Sequence, residues 1–490
     1  VTQHHAQNIG FHFLQTVRGH GDRTAIVSPR GTVNYTALEK LVRLYALHLQ
    51  QRGVDRNACV AIHTTFLYNT LATTLAVALL GAKWCHATQT AFQEKALNIN
   101  HLLLDADETH IEASDPARLL RIDKQWLQPP PGTQLSRAMD FPGCADPRDP
   151  LFFTHSSGTT GTPKFMFWDY GHVMQWQETV PDVQYDKTPV IANMFPMLSI
   201  LGWFYSLSAI LRGGTVVLHN RYDYLVQHGV NHIIASPSQF AQVLQNQPHP
   251  AIPLPAIAHV TGGPVTDALR DKMSRFFDTI LSIYGSTEAG PVCISELTTA
   301  SGPERSLGRP IEGVEIDILD PAGQPVPPGR EGVVRIKTPM LVNGYIADDQ
   351  ATALAFKEGW FYPGDIGRIN PAGEFVITGR NADILNLGGV KANVADIEEA
   401  IQACEGVADG ICFLEPSPSG VETLAAVVRL KTDTTPDAVA REIRVRCKAL
   451  PHPECYIPGR IYFIDTIPRN ENGKPLRRDC PSLVKNQKSW

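Results

Sequence analysis

The run Thr154-His155-Ser156-Ser157-Gly158-Thr159-Thr160-Gly161-Thr162-Pro163-Lys164 places six hydroxyls, two glycines and a lysine within eleven residues. That mixture suits a polyphosphate. Glycine lets backbone N–H groups come close to phosphate oxygens, hydroxyls add neutral donors, and lysine adds a charge. The spacing is not that of a Walker A loop, because Lys164 follows Pro163 rather than a glycine. A solvated Ser/Thr/Gly linker is the plainer reading of such a run. The apolar stretch Pro150-Leu151-Phe152-Phe153 just before it argues instead for a buried strand that feeds the loop.

Three more segments hold polar groups that could do chemistry. In Ile283-Tyr284-Gly285-Ser286-Thr287-Glu288 an aromatic ring could stack on a base, a glycine could bend the chain, a hydroxyl could touch phosphate and a carboxylate could hold Mg2+. A simple turn at a strand end explains the same residues. In Trp360-Phe361-Tyr362-Pro363-Gly364-Asp365-Ile366-Gly367, followed by Gly379-Arg380, Asp365 could accept two hydrogen bonds from a ribose diol, as acidic residues do in dinucleotide sites. Asp beside Gly is more commonly a turn residue. The stretch from Pro468 through Lys474 to Arg478 reads, taken alone, as a basic surface turn.

Strands and helices must hold these loops. Thr36 and Glu39 have capping-box spacing before Leu38, Leu41, Val42, Tyr45 and Leu49, which predicts an amphipathic helix ending near Gly53. A β-like run at Ala58 to Ile62 and a buried helix ending near Leu80 follow. The same rhythm recurs at Thr215 to Leu218, at His232 to Ala235 before a helix from Pro237, and at Ile257 to Thr261 before Asp267 to Phe277. Such alternation predicts an α/β fold with parallel sheets covered by helices. From about Glu312 the pattern becomes short strands, including Val314 to Leu319 and Gly332 to Lys337. Beyond Gly379-Arg380 it becomes mixed, with a helix at Val394 to Cys404, a strand at Thr423 to Leu430 and a helix at Pro436 to Leu450. The expected domains are therefore 1–379, with a β-rich part at about 312–379, and a separate C-terminal domain, 380–490.

With 490 residues, 43% of them hydrophobic and 19% charged, the chain is long enough for several cores and too apolar for disorder. The 43 basic and 49 acidic residues leave a formal charge of -6 without a basic block, which argues against a nucleic-acid partner. Leu71 to Ala82, the longest apolar stretch, is too short to span a bilayer, and no signal-like segment opens the chain, so a cytoplasmic location is expected. The nine cysteines are scattered and lack a Cys-x-x-Cys pair; they read as reduced and structural, with no zinc site.

Taken together and in this order, the segments resemble the adenylate-forming superfamily of acyl- and aryl-CoA synthetases, stand-alone adenylation domains and luciferases. The resemblance runs from about Asp22 to Arg478 and includes Ser306-Leu307-Gly308-Arg309-Pro310 and Gly389-Val390-Lys391 through Asp396-Ile397-Glu398. It implies a large N-terminal domain of two helix-covered sheets plus a β-rich subdomain, and a small, mobile α+β C-terminal domain. It also implies a two-step ligase: a carboxylate and MgATP give an acyl-adenylate and pyrophosphate, and a thiol then takes the acyl group and releases AMP. The thiol is that of CoA or the phosphopantetheine of a separate acyl or peptidyl carrier protein.

On this resemblance Ser156, Ser157, Gly158, Thr159, Thr160, Gly161 and Lys164 would hold the β- and γ-phosphates, Thr287 would touch the α-phosphate, and Glu288 would ligate Mg2+. Tyr284 and Gly285 would line the adenine site opposite Gly262, Gly263 and Pro264, while Asp365 and Arg380 would bind the ribose. Lys474 would bridge the carboxylate and the α-phosphate. The acid would lie against Ser199, Trp203, Phe204, Ser236 and Thr261, and the thiol would pass Gly388 and Gly389.

Three positions depart from the family pattern. The interdomain pivot is usually Asp or Lys, and here it is Ala382. Ser199 stands where many acyl-CoA synthetases carry an aromatic residue or His, and Asn193 to Gly202 contains no acid to pair with an amino-acid ammonium. Phe165 follows Lys164 where glycine is common. An aryl acid or a short or medium-chain acid is therefore the expected substrate, and the indole of Trp203 argues against a long alkyl tunnel. The alternative is a degenerate nucleotide-binding regulator, which intact Lys164, Glu288, Asp365 and Lys474 disfavour.

Overall fold

The strand and helix alternation becomes, in the computed structural model, two mostly parallel sheets within one large unit. The structure describes all residues except 1–6, 109–117, 137–139, 157–163, 185–187, 246, 249, 251–252, 264, 266, 299–305, 381–383, 388–389, 417–421, 433, 451–455, 470–474 and 486, together with a few further side chains. The chain divides into two compact units, one formed by 1–158, 162–316 and 336–361, the other by 159–161, 317–335 and 362–490.

In the first unit, a nine-stranded sheet has the order Arg309–Pro310, Gly290–Glu296, Phe277–Ser286, Leu254–Thr261, His232–Ala235, Val190–Asn193, Thr215–Val217, Thr24–Ser28, Gly31–Asn34. Its central pairs are parallel and its edges antiparallel. A six-stranded sheet runs Leu119–Ile122, His101–Asp105, Cys59–His63, Lys83–His86, Pro150–Ser156, Lys164–Asp169, and only its last pair is antiparallel. Central strands of such sheets are covered on both faces, which is why His232–Ala235 and Cys59–Ile62 are buried throughout and read as unbroken apolar runs. The core of the larger sheet gathers Ile233, Phe240, Val260 and Phe277, and that of the smaller one Ala61, Cys85, Leu104 and Phe153.

Helix Tyr35–Gln51 forms as predicted, but its cap is not Thr36. Asn34 accepts the Ala37 N–H, and the Thr36 hydroxyl donates to the Gly21 carbonyl at 3.0 Å. Asn and Thr are both good caps, and the turn at Gly21 draws the threonine away. The Tyr35 hydroxyl reaches the carbonyls of Ile210 and Gly214, tying this helix to the end of helix Ile200–Leu211.

In the second unit, Val407–Pro416 and Glu422–Leu430 pair antiparallel, Arg460–Phe463 adds in parallel, and helices Val394–Gln402 and Pro436–Lys448 cover a core that includes Ile397, Ile401, Val428, Ile443 and Ile461. The hairpins Asp365–Ile369 with Phe375–Arg380, and Ile384–Leu387 with Val390–Asn393, belong to the same unit. No helix among the described residues is long and apolar enough to cross a membrane. Among the described residues, eight cysteines are buried and free.

Candidate active site

In the first unit, the carboxyl ends of adjacent strands collect most of the sequence-selected residues, which is where ligands bind in open α/β sheets. Ser199 follows strand Val190–Asn193, Ser236 follows His232–Ala235, Thr261 closes Leu254–Thr261, and Tyr284 lies near the end of Phe277–Ser286. Gly262 takes a φ of +88° just beyond Thr261, a conformation that favours glycine. Both serines also cap helices. Ser199 Oγ accepts the Gly202 N–H and donates to the Pro196 carbonyl, and Ser236 forms a capping box with Gln239.

Trp203 and Phe204 are enclosed on all sides. The Trp203 indole N–H donates to Thr74 Oγ1 at 3.1 Å, and its ring lies against Trp84, Phe152 and Phe204 at centroid distances of 5.1, 5.5 and 5.2 Å. Phe204 in turn meets Trp168 and Trp176, each at 4.9 Å. These rings pack on one another as an aromatic wall.

The phosphate-loop sequence is flanked by paired strands: Ser156 sits opposite Lys164, and His155 opposite Phe165. The intervening Ser157, Gly158, Thr159, Thr160 and Gly161 lie outside the described residues. Thr287 and Glu288 occupy the turn between strands Phe277–Ser286 and Gly290–Glu296. This turn demands glycine at 285, where a Cβ would come within 2.3 Å of the Gly290 carbonyl oxygen. The Trp168 indole donates to the Thr287 carbonyl at 3.2 Å, fastening the turn to the strand that leaves the loop.

One residue that the sequence did not single out joins these pieces. The Tyr345 hydroxyl donates to Glu288 Oε1 at 2.9 Å, and the Lys164 ammonium lies 5.0 Å from the centre of the same ring. Burial and the adjacent Glu288 carboxylate push the Tyr345 phenol well above its ordinary range, so it remains a hydrogen-bond donor. Tyr345 and Glu288 are 57 residues apart, and no periodicity or local motif links such a pair.

Glu288 is 7% exposed, and Oε2 has no hydrogen-bond partner among the described residues. Among those residues no group of three His, Cys, Asp or Glu side chains could form a metal cage. A single buried carboxylate with one oxygen held and one uncommitted fits magnesium, which typically takes one or two carboxylates and draws its other oxygens from water and substrate phosphates.

Three histidines cluster at the carboxyl edge of the smaller sheet. His63 and His86 stack at 5.9 Å, and burial, followed by His63 and His155, holds the His86 imidazole down to about 4. His86 is therefore neutral at physiological pH.

In the second unit, Asp365 is fully buried and opens strand Asp365–Ile369, directly opposite Arg380 in the register, after Gly364 at a φ of +78°. The Arg380 side chain, Pro264, Ala382, Gly388, Gly389 and Lys474 lie outside the described residues. The segment that carries Lys474 is held at both ends. Arg469 bridges to Pro475 in the backbone and makes a two-pronged contact with Asp409 at 2.7 and 2.8 Å. Arg477 Nη2 meets Glu398 Oε2 at 2.7 Å, while Glu398 Oε1 accepts the Cys412 N–H at 2.7 Å.

A model of the AMP-binding enzyme family matches residues 13–346, and a model of the AMP-binding enzyme C-terminal domain matches residues 396–474. The chain is 27% identical over 363 residues to the peroxisomal trans-cinnamate:CoA ligase of Petunia hybrida, a match covering 69% of this chain and 63% of that protein. It is 25% identical over 503 residues to the indoleacetate–CoA ligase of Aromatoleum aromaticum, covering 94% of this chain and 95% of the other. Its fold matches that of O-succinylbenzoate coenzyme A synthetase from Bacillus subtilis in complex with ATP and magnesium ion, with a TM-score of 0.80 and 21% identity over 95% of this chain and 98% of that one. The match thus spans less than two thirds of the petunia protein and nearly all of the other two. With a large N-terminal domain, a smaller C-terminal one and both family models in order, the chain belongs to the AMP-binding, adenylate-forming enzymes.

Proposed function

We propose that this protein activates a carboxylic acid with ATP and passes the acyl group to a thiol. The observation that carries the reading is the contact of Lys164 and Glu288 with one tyrosine ring, which brings the loop lysine and the carboxylate suited to magnesium into one place. In the first step a carboxylate oxygen of the acid attacks the α-phosphorus of ATP, and the bond to the bridging oxygen of the β-phosphate breaks, releasing pyrophosphate. In the second a thiolate attacks the acyl carbon, and the carbon–oxygen bond to AMP breaks.

The hydroxyls of the loop, with Lys164, hold the β- and γ-phosphates. Glu288 would hold the cation, which would neutralise charge on the phosphates. Asp365 accepts from the ribose hydroxyls. Lys474 offsets the charge that builds up between the carboxylate and the α-phosphate. The chemistry is alignment and charge stabilisation by fixed groups.

The aromatic wall of Trp84, Phe152, Trp203 and Phe204 supports an aryl or short-chain acid, since these rings fill the interior that an alkyl tunnel would need. The names of the relatives, a cinnamate and an indoleacetate ligase, point the same way and favour CoA over a carrier protein as the acceptor. Pyrophosphate release should be measured over a panel of aryl, fatty and amino acids, with CoA and then with phosphopantetheinylated carriers. Release with an aryl acid, and AMP turnover stimulated by CoA, are expected. ATP binding without release for any acid would overturn the reading in favour of a nucleotide-binding regulator.

A further inference from the structure

Tyr345 is clamped more firmly than a half-buried side chain needs to be. Its backbone N–H donates to Thr352 Oγ1 at 2.9 Å, its carbonyl accepts from the same hydroxyl at 3.3 Å, and its ring meets Phe356 edge-on at 5.4 Å. The preceding Gly344 adopts a φ of +135°, and a Cβ there would fall 2.6 Å from Thr352 Cγ2. On either side the chain is sewn to the two segments whose charges the ring touches. The Val342 N–H donates to the Glu288 carbonyl at 3.0 Å, and the Ile346 N–H donates to the carbonyl of Phe165, next to Lys164, at 2.7 Å.

The ring thus stands between two opposite charges. Its hydroxyl edge faces the carboxylate and its π face carries the ammonium, an arrangement that attracts both without letting them meet. Among the described residues Lys164 and Glu288 form no ion pair, and the Lys164 ammonium lies over the ring instead. A direct Lys–Glu pair at this buried carboxylate would satisfy each charge with the other. It would then have to be broken before either could engage a phosphate or a cation, and breaking buried pairs is costly.

We propose that Tyr345 is a positioning residue of the nucleotide site: its hydroxyl turns Glu288 toward a divalent cation, and its ring keeps Lys164 from collapsing onto Glu288, so that both charges stay available to a magnesium–nucleoside triphosphate complex. The proposal rests on the assignment of Glu288 as the cation's carboxylate. The two parts of the side chain have separable tasks. Tyr345→Phe removes the hydroxyl and keeps the spacer; Tyr345→Leu removes both the hydroxyl and the π face.

The test is calorimetric binding of ATP to the full chain, without acid or thiol, first in EDTA and then at stepped Mg2+. Circular dichroism melts check that each variant is folded. For Tyr345→Phe, ATP affinity in EDTA should match the wild type, while the Mg2+ concentration for half-maximal tightening rises roughly tenfold, the scale of one hydrogen bond to a charged group. For Tyr345→Leu, affinity in EDTA should also fall roughly tenfold, because Lys164 is then captured by Glu288. The double variant Tyr345→Leu, Glu288→Gln should recover the affinity in EDTA, which a general loosening of the fold would not allow.

An unchanged Mg2+ dependence in Tyr345→Phe, in a protein whose Glu288→Gln variant does lose Mg2+ tightening, overturns the role of the hydroxyl. Absence of recovery in the double variant overturns the role of the ring as a spacer. If Glu288→Gln itself keeps wild-type Mg2+ tightening, the assignment of Glu288 fails, and the proposal about Tyr345 falls with it.

Discussion

Lys474, proposed above to act on charge, and Trp203, which fills space, represent two kinds of residue, and substitutions should separate them. Lys474→Ala is expected to slow pyrophosphate formation by about 10^2 to 10^3, by analogy with the loss of one oxyanion donor, while ATP still binds. Single-turnover release of pyrophosphate measures this directly, and a rate within threefold of wild type would remove Lys474 from the chemistry. Trp203→Ala should cost about 3–5 kcal/mol of stability, because a fully buried indole leaves a cavity and the Thr74 hydroxyl loses its donor. Denaturant melts read that loss. The sequence presented Trp203 as a wall of the acid pocket, and the structure shows why a single chain leaves such residues ambiguous. A tryptophan facing a ligand and one facing Trp84 and Phe152 occupy the same apolar helix face.

At the scale of elements, the apolar runs located the strands well. His232–Ala235 and Gly332–Lys337 have the bounds that the sequence predicts, and most other strands and helices fall within a few residues of theirs. Runs buried on both faces leave a local signature; caps and cross-chain contacts do not. The sequence points to Thr36 as the cap of helix Tyr35–Gln51, and the structure gives the cap to Asn34 because the distant Gly21 carbonyl takes the Thr36 hydroxyl; Tyr345 leaves no local signal because its partner lies on another element.

The fastening of the Lys474 segment also belongs to this scale. Replacing Arg469 with Met frees one end of it, and if Lys474 has the role proposed above, its displacement should slow adenylate formation roughly 10- to 100-fold with little change in ATP affinity. Asp409→Asn should act the same way, and the double variant should be no worse than either alone, because the two residues form one contact. Additive losses in a double-mutant cycle would show that the pair does not act as a unit.

For the molecule as a whole, acid should be the characteristic weakness. His232 Nδ1 and His259 Nε2 lie 3.0 Å apart between two central parallel strands, with the Tyr205 ring beside His259. Burial, followed by His232, holds His259 down to about 3. The unfolded chain therefore binds a proton that the folded one refuses, and stability present above about pH 6.5 is lost progressively as the pH falls toward 3. Melting temperatures recorded from neutral to acid pH should drop along this window. In His259→Gln, if folded, the slope should be shallower, and an unchanged slope would assign the acid sensitivity to other groups.

The parallel pairing of Thr24–Ser28 with Thr215–Val217 has a further consequence, in the order of synthesis. The Thr215 hydroxyl donates to the Thr24 carbonyl across 191 residues, so the strand Thr24–Ser28 cannot dock until a neighbour made much later has left the ribosome. At translation speeds of about 5–20 residues per second, that strand waits roughly 10 to 40 seconds with its hairpin partner, Gly31–Asn34, as the one strand it can pair with. Ala25, Ile26 and Val27, buried in the finished sheet, are apolar surface on the nascent chain for all of that time. The larger sheet therefore closes around this strand late, whereas the smaller sheet, whose strands follow one another between residues 59 and 169, is free to assemble before it.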